Sequence, residues 1–436
     1  MNRVWPWCPL GELFEIGAGK TMSAAARNGT DKTPFLRTSN VLWDQIDLSS
    51  VDEMSIPEHE RLAKLLRTGD LLVCEGGEIG RAAIWNGEFE TMSFQNHLHR
   101  LRPIVKEVEP RFYVYFLQSA FTQLGIFEGT GNKTTIPNLS RSRLAALRVP
   151  QPTLAEQQAI VAVLARIRDA IKTHEQSIAL ALDLKHAAMK SLFTRGLRGE
   201  GQKETETGPM PEGWELVPIG KFAHQIQYGL SIRGAESGTY PILRMNCQHD
   251  GKVIFRDLQY VDIDNETADT YRVNQNDLLF NRTNSYELVG RTAIVEQTAN
   301  AVFASYLIRV AVDETRLHPK FLNYFLNWDS AQIELKKLAS RGVSQANISA
   351  GKLRGFQVPV PLLDEQDEIV SVLDAIDRKI DLHRRKRAVL DNLFKTLLHK
   401  LMTGEFRVGE LGSWAVTSMI STSSSAIEKL QGGTYG

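Results

Sequence analysis

The chain repeats itself at a distance of 209 residues. Segment 149–158, which reads VPQPTLAEQQ, returns as segment 358–367, which reads VPVPLLDEQD. The same shift maps Trp5 onto Trp214. Solenoid repeats have periods of about 20 to 50 residues. A period this long therefore predicts that one whole domain was duplicated.

A stretch without glycine or proline follows each copy of this motif, over 154–195 and over 362–403. A helix of that length is on the order of 60 Å long, at about 1.5 Å per residue. Within both stretches a seam of mainly apolar residues advances in alternating steps of four and three, which is the pattern of a coiled coil. Because one chain carries two seams, we expect the helices to pack on each other as an antiparallel pair. The first seam is Ile160, Leu164, Ile167, Ile171, His174, Ile178, Ala181, Lys185, Ala188 and Leu192, and the second is Ile369, Leu373, Ile376, Ile380, His383, Arg387, Leu390, Phe394, Leu397 and Leu401.

Two histidines lie at equivalent seam positions, His174 and His383. Histidines so placed could bind a metal or take part in catalysis. We interpret them as amphipathic seam residues whose ring tips reach the edge, as the stems of Lys185 and Arg387 do.

The remaining patterns predict a mixed α/β fold with two similar α/β domains joined by the two long helices. Short β-like runs precede a helix that starts at Pro110 in one copy and at Pro319 in the other, because proline suits a first helical turn. The predicted boundaries are 1–148 for the first domain, 149–198 for the first helix, 199–213 for a linker, 214–357 for the second domain, 358–408 for the second helix and 409–436 for a mobile tail.

Composition narrows the class of protein. A chain of 436 residues is expected to form two or three domains. Lys and Arg together number 51, as do Asp and Glu, so the net charge is zero. This balance weighs against a strongly basic nucleic-acid binder, although local patches matter more than the sum. No apolar run approaches the roughly 20 residues of a membrane span, so no membrane partner is expected.

The three cysteines, Cys8, Cys74 and Cys247, lie at no metal-ligand or redox spacing. This usage suits a reducing compartment, and the first ten residues show no secretory signal pattern, so we expect a cytoplasmic location.

The sequence contains no motif that would carry catalysis. Segment 17–21, GAGKT, resembles a phosphate-binding loop, but Phe14 stands where that pattern requires glycine. Segment 75–78, EGGE, offers two carboxylates, yet its counterpart 281–284 reads NRTN. Catalytic acids are not expected to become amides and arginine between copies. The sequence therefore predicts a non-catalytic chain without catalytic residues, bound cofactor or metal.

The loops of the two domains share a frame but differ in their polar contents. Segment 34–40 corresponds to segment 241–247, and segment 129–136 corresponds to segment 338–345. Arg, Lys, Asn and Gln can hydrogen-bond base edges and phosphates, although ordinary solvated loops also contain them. The expected DNA-facing residues are Arg37, Asn40, Arg81 and Lys133 in the first domain and Arg244, Asn246, Arg282, Asn284, Arg291, Arg341 and Gln345 in the second.

Taken together, these features resemble the specificity subunit of type I restriction-modification systems, from Trp5 to about Arg407. The resemblance is carried by two domains, each closed by a V-P-x-P-x-x-x-E-Q motif and a long helix. The motifs that fit it are Glu156-Gln157, Glu365-Gln366, Gly69-Asp70-Leu71-Leu72, Gly80-Arg81 and Gly290-Arg291.

The resemblance implies two target-recognition domains, each reading half of a bipartite site on double-stranded DNA. The helices would set the gap between the half-sites. Two methyltransferase subunits, with their own S-adenosylmethionine, would dock on the chain, and motor-nuclease subunits using ATP and magnesium would complete the complex. Two alternatives stay open: a recognition subunit for a methyltransferase without nuclease, and a scaffold whose tandem domains bind proteins. A two-domain enzyme is disfavoured by the missing motifs.

Overall fold

The structure is a computed structural model that describes residues 5–125, 138–205, 208–342 and 345–410. The tail predicted from residue 409 onward lies outside the described residues beyond its first two positions. The chain forms two compact units. The first unit comprises Met1–Glu175 and Arg384–Gly436, and the second comprises Gln176–His383. Each unit contains one globular domain together with part of both long helices.

The first unit is built from eleven short strands and four short helices among its described residues. The strands are β1 (Trp7–Pro9), β2 (Phe14–Ala18), β3 (Lys32–Leu36), β4 (Val41–Leu42), β5 (Gln45–Ile46), β6 (Asp52–Ser55), β7 (Leu71–Cys74), β8 (Ala82–Ile84), β9 (Ser93–Phe94), β10 (Leu98–Pro103) and β11 (Arg148–Pro150). The short helices are α1 (Ala24–Asn28), α2 (Glu58–Lys64), α3 (Pro110–Thr122) and α4 (Arg141–Ala146), and the long helix α5 (Leu154–Arg195) begins in this unit.

The second unit repeats this plan. Its strands are β12 (Gln202–Thr205), β13 (Gly208–Pro211), β14 (Glu215–Pro218), β15 (Ala223–Tyr228), β16 (Tyr240–Leu243), β17 (Gln248–His249), β18 (Lys252–Val253), β19 (Gln259–Val261), β20 (Leu278–Asn281), β21 (Thr283–Asn284), β22 (Thr292–Ile294), β23 (Val302–Phe303), β24 (Leu307–Val312), β25 (Ser340–Arg341), β26 (Ala346–Asn347) and β27 (Gln357–Val360). Its helices are α6 (Asn265–Tyr271), α7 (Pro319–Leu326), α8 (Asp329–Lys337), α9 (Ala350–Gly355) and the long helix α10 (Leu363–Thr403).

Three strand arrangements of the first unit return in the second unit. The antiparallel order β2-β10-β7-β8 in the first unit returns as β15-β24-β20-β22 in the second. The order β6-β3-β9 returns as β19-β16-β23, and the pair β1-β11 returns as β14-β27. In the second unit, β22 also pairs with β18, and β18 pairs with β17, which makes a six-stranded sheet. The duplication read from the sequence is thus a duplication of mixed α/β architecture.

One helix in each domain is placed by its proline and its aromatic face. Pro110 starts α3 and Pro319 starts α7, as expected for a residue that lacks a backbone N–H. The apolar face of each helix lies in its domain core, because all six of the side chains on these faces are fully buried. They are Phe112, Phe116 and Leu117 in α3 and Phe321, Phe325 and Leu326 in α7.

The segment predicted as a linker, 199–213, has more structure than its composition indicates. Strands β12 and β13 pair there as an antiparallel hairpin, from Gln202 opposite Pro211 to Thr205 opposite Gly208. The Lys203 ammonium donates to the carbonyl of Trp214 at 2.7 Å and ties the hairpin to the start of the second domain. The prediction of a linker rested on composition, and composition does not show which residues form long-range hydrogen bonds.

The two long helices run antiparallel within each unit. In the first unit, Arg168 of α5 lies over the ring of Phe394 of α10 at 5.2 Å, and Glu175 lies 3.9 Å from Arg387. Seven residues forward along α5 are therefore seven residues back along α10. In the second unit, Lys185 bonds Asp377 at 2.7 Å, and Glu365 accepts from the Leu197 N–H at 3.1 Å. The chain advances twelve residues from Lys185 to Leu197, while the partner position in α10 moves back twelve residues from Asp377 to Glu365.

The seam side chains enter the core of the unit in which they lie. In the first unit, Ile160, Leu164 and Ile167 belong to the same cluster as Phe112 and Phe394. In the second unit, α10 contributes Ile369 and Leu373 to a cluster that includes Leu192 of α5. Each helix end is therefore part of a domain core as well as of a helix pair. His174 and His383 are half-buried, as their reading as amphipathic seam residues requires.

The Glu-Gln pair of the repeated motif ties each domain to its helix. The fully buried Gln157 side chain accepts from the Glu109 N–H at 2.9 Å and donates to the carbonyls of Glu107 and Pro152. In the second unit, Gln366 accepts from the His318 N–H at 2.7 Å and donates to the Pro361 carbonyl at 3.0 Å. The motif therefore has a structural role, which is to satisfy backbone groups where helix and domain meet.

Candidate nucleic-acid interface

Four of the predicted DNA-facing residues of the second domain come together. Arg244 follows β16, and Asn246 lies two residues on, in an exposed turn. The Asn284 amide donates to the sulfur of Met245 at 3.3 Å, which brings β21 against this turn. Asn284 pairs across the small sheet with Ala346, and the exposed Gln345 precedes that residue. The structure thus gathers Arg244, Asn246, Asn284 and Gln345 in one region.

Arg341 belongs to the outer strand of the same small sheet, whose order is β21-β26-β25. Its backbone pairs with Ala346, so this strand lies one step beyond the strand that pairs with Asn284. Arg341, which was predicted to face DNA, therefore lies on the same small sheet as Asn284.

The carbonyl of Asp257 holds the turn that follows β16. The Arg244 guanidinium donates to this carbonyl at 3.2 Å, and the Asn246 amide donates to it at 3.5 Å. Both side chains are therefore attached to a fixed frame and do not belong to a free loop.

Arg282 is held at the end of β20 by three groups of the second unit. Its Nη1 donates to the Ser305 carbonyl at 3.2 Å, and its Nη2 donates to the Asn347 side-chain oxygen at 3.4 Å. Its Cζ lies 4.6 Å from the centre of the Tyr228 ring. Arg291 is exposed, and its carbonyl accepts from the Asn281 N–H at 2.8 Å, next to Arg282 in the chain.

In the first domain, the structure brings together Arg37 and Arg81. The half-exposed Arg37 forms an ion pair with Asp52 at 2.9 Å, and Arg81 donates to the Thr38 carbonyl at 3.4 Å. Both arginines therefore border the turn that begins after β3. Lys133, the fourth residue predicted for this domain, lies outside the described residues.

Asn40 has a different role from the one predicted. Its side chain is only 5% exposed. Its amide donates to the carbonyls of Asp47 and Ser50 at 2.9 and 2.8 Å, and its oxygen accepts from the Arg37 N–H at 2.8 Å. A side chain with these bonds supports the turn from inside, so it is not available to read a base. Sequence reasoning missed this because a buried asparagine and a reading asparagine look alike in a loop.

Two buried aspartates at equivalent positions accept hydrogen bonds within their own domains. The Asp70 carboxylate is buried and accepts two bonds from Arg102, at 2.8 and 2.7 Å, and one from the Arg67 N–H at 2.7 Å. In the second unit, Asp277 accepts from the Asn274 N–H at 2.8 Å, and burial raises the pKa of its carboxyl. The G-D-L-L type motif is therefore part of the scaffold.

The described residues include no cluster of His, Cys, Asp and Glu that could hold a metal ion. Burial raises the pKa of the Cys74 thiol to about 11, which keeps it protonated at neutral pH. Within the same described ranges, no helix is long and apolar enough to cross a membrane. The polar side chains on the turns described above have hydrogen-bonding groups.

Comparison with known proteins decides the family. The family model of the type I restriction modification DNA specificity domain matches residues 3–181 and 211–392. The chain belongs to this family. The two matched segments coincide with the two copies found in the sequence, and the match confirms the resemblance drawn from the repeated motifs.

Members of the type I restriction modification DNA specificity family resemble the chain over nearly its whole length. The MjaX specificity subunit of Methanocaldococcus jannaschii is 26% identical over 425 residues, which cover 92% of this chain and 96% of that protein. The StySPI specificity subunit of Salmonella potsdam is 24% identical over 403 residues, covering 86% and 82%. A crystal structure of the type I system S subunit from M. genitalium has the same fold, with a TM-score of 0.58, 15% identity and coverage of 92% and 96%.

Two features of the site were not predicted from the sequence. One is the anchoring role of the Glu-Gln motif, whose repetition was visible while its buried backbone partners were not. The other is Tyr228, which lies under Arg282 although 54 residues separate the two in the chain. The only sequence signal for it is that a tyrosine stands where the first copy has a small residue, Ala18.

Proposed function

We propose that this chain is the DNA-recognition subunit of a type I restriction-modification complex. Each globular domain reads one half of a bipartite site on double-stranded DNA. The observation that carries the proposal is one frame that presents two different sets of polar side chains. Such an arrangement suits two related modules with different target sequences.

The sheet register identifies which side chains differ. Leu98 pairs with Cys74 in the first unit, and Leu307 pairs with Asn281 in the second. The residue that follows is Glu75 in the first unit and Arg282 in the second, so these two residues correspond. The sequence alone had matched Glu75 with Asn281, which is one position earlier. A carboxylate accepts from cytosine, whereas arginine donates to guanine, so this one position offers opposite hydrogen-bonding patterns.

The charge balance fits a subunit that shares the DNA with partners. A chain with zero net charge has few excess cations for phosphate neutralisation. Methyltransferase subunits, two in number, would dock on the chain and supply many of the phosphate contacts. They would bring S-adenosylmethionine, and motor-nuclease subunits would bring ATP and magnesium chemistry. The chain itself would be non-catalytic.

The two long helices would act as the spacer between the half-sites. Their antiparallel run within each unit, and their seams buried in the domain cores, make each helix end rigid with its domain. A rigid spacer would convert helix length into a fixed number of unspecified base pairs.

A gel-shift measurement with the reconstituted methyltransferase complex tests the proposal. Duplexes that carry the methylated sequence should compete for binding far better than duplexes with a scrambled sequence of equal length. The excess should persist as salt is raised, because sequence-independent phosphate binding weakens steeply with salt. Equal competition by both duplexes would reject sequence recognition and would favour a protein scaffold.

A further inference from the structure

Tyr228 and Arg282 form a stacked pair at the edge of the second domain. Tyr228 ends β15, and Arg282 directly follows β20. The guanidinium carbon lies 4.6 Å from the ring centre, which is within the range of a cation–π contact. The ring therefore fixes where the guanidinium lies.

Further hydrogen bonds hold both partners of the stack. The Tyr228 hydroxyl accepts from the Ala350 N–H at 2.8 Å, and this bond fixes the ring. Asn347 accepts from Arg282 at 3.4 Å and in turn donates to the Thr283 hydroxyl at 2.7 Å. With the Ser305 carbonyl, two acceptors and a ring constrain one guanidinium. Its orientation is set before any ligand arrives.

The guanidinium keeps donors that the domain does not use. Arginine has five N–H groups. Two of them bond to Ser305 and Asn347, and the buried Nε has no hydrogen-bond partner among the described residues. Each terminal nitrogen therefore retains one further N–H for an external acceptor.

Two partly exposed tyrosines are neighbours of this arginine. Tyr228 is 41% exposed and Tyr306 is 47% exposed. The backbone N–H of Arg282 donates to the Tyr306 carbonyl at 3.0 Å, so the second aromatic residue lies directly beside Arg282. Arginine and tyrosine side chains are both among those that hydrogen-bond DNA.

The first domain folds without this group. Arg100 pairs with Gly17 and Arg309 pairs with Gln227, so Ala18 corresponds to Tyr228. By the register of the neighbouring strands, Glu75 corresponds to Arg282. The shared frame thus needs neither the ring nor the guanidinium, which indicates that the pair serves a purpose particular to the second domain.

From these observations, and resting on the proposed function, we infer that Tyr228 is a positioning residue that presents Arg282 to a guanine in the second half-site. A phosphate contact requires a positive charge near the DNA backbone, and even a contact through two donors carries no base preference there. Reading guanine needs two donors in one plane, aimed at O6 and N7. A guanidinium held by a ring and two acceptors meets the second requirement.

The test compares Tyr228→Leu, which removes the ring, with Tyr228→Phe, which keeps the ring and removes the hydroxyl. Each variant is assembled with methyltransferase subunits and tested on duplexes that carry every single-base change in the second half-site. We expect Tyr228→Leu and Arg282→Ala to lower discrimination about tenfold at the same G·C pair. Tyr228→Phe should retain most of that discrimination. Phe89→Leu changes an exposed aromatic of the first unit and should leave the second half-site unaffected.

The outcomes separate this inference from the proposed function. If the wild-type complex shows no sequence preference, the proposed function fails. If the wild type is selective and Tyr228→Leu behaves like the wild type at every position, only the positioning role is overturned. A uniform loss at all positions of the half-site would also overturn it, since that result indicates general loosening of the domain.

Discussion

The Trp214 indole donates its N–H to the Glu365 carboxylate at 3.2 Å, and it joins the start of the second domain to the start of α10. Trp5 and Glu156 repeat this bond at 3.2 Å in the first unit. The two pairs differ in their surroundings. Glu365 is buried and accepts a second bond from the Leu197 N–H, whereas Glu156 is half-buried.

Removing the carboxylate should therefore cost more in the second unit than in the first. Glu365→Ala leaves the buried Trp214 N–H without an acceptor, at about 1–3 kcal/mol, and also removes the acceptor of the Leu197 N–H. Glu156→Ala should cost about 1 kcal/mol, since it removes one bond and water can reach the half-buried position of the carboxylate. Hydrogen exchange measured by mass spectrometry should show faster exchange at Leu197 in Glu365→Ala. Equal thermal shifts for both variants would contradict the difference in burial.

The helix seam predicts a contrast between two adjacent residues of α10. Leu373 is fully buried, whereas Val372 is 41% exposed. Leu373→Asp places an unpaired charge among apolar side chains and should destabilise the second unit by several kcal/mol. Val372→Asp is the matched control and should change stability by less than about 0.5 kcal/mol. Thermal denaturation of the two full-length variants measures the contrast, and similar melting curves would count against the seam.

The cap of α7 should make the second unit sensitive to mild acid. The His318 Nδ1 accepts from the Lys320 N–H at 3.0 Å, which requires an unprotonated Nδ1. Burial lowers the pKa of His318 below 6.5, against the opposing charge of Asp367. The folded state therefore binds this proton less readily than the unfolded state, and stability is fully present above pH 6.5 and falls as the pH drops below it.

His318→Asn keeps an acceptor at the cap and cannot titrate, so it should remove this part of the pH dependence. Glu109 caps the equivalent helix of the first unit through its bond to the Arg111 N–H. Hydrogen exchange of α7 and α3 between about pH 5.5 and 7.5 compares the two caps in one sample. An identical pH dependence of α7 exchange in the wild type and in His318→Asn would refute the role of His318.

Sequence patterns predicted the architecture because each rests on local physics. Proline at the first helical turn fixed the start of α3 and α7, and the four-three spacing located the seams. Long-range partners were beyond such reasoning. The Asn40 side chain bonds to Asp47 and Ser50, and Lys203 bonds from the hairpin at 199–213 to the carbonyl of Trp214. Which polar residues face outward depends on these contacts.

Changing the length of both helices should change the gap between the half-sites. One added heptad per helix keeps the seam in register and adds about 10 Å, or about three base pairs. The half-sites themselves should stay the same, because the domains are unaltered. Methylation mapping of a genome modified by the variant complex measures the gap. An unchanged gap would rule out the helices as the spacer.

Independent reading by the two domains is the central claim, and replacing one domain tests it most directly. Residues 1–148 would be exchanged for the corresponding domain of another family member, and the methylated sites of a genome would be mapped. The account predicts that one half of the recognised sequence changes while the other half stays the same. A map in which both halves change, or in which neither does, would contradict it.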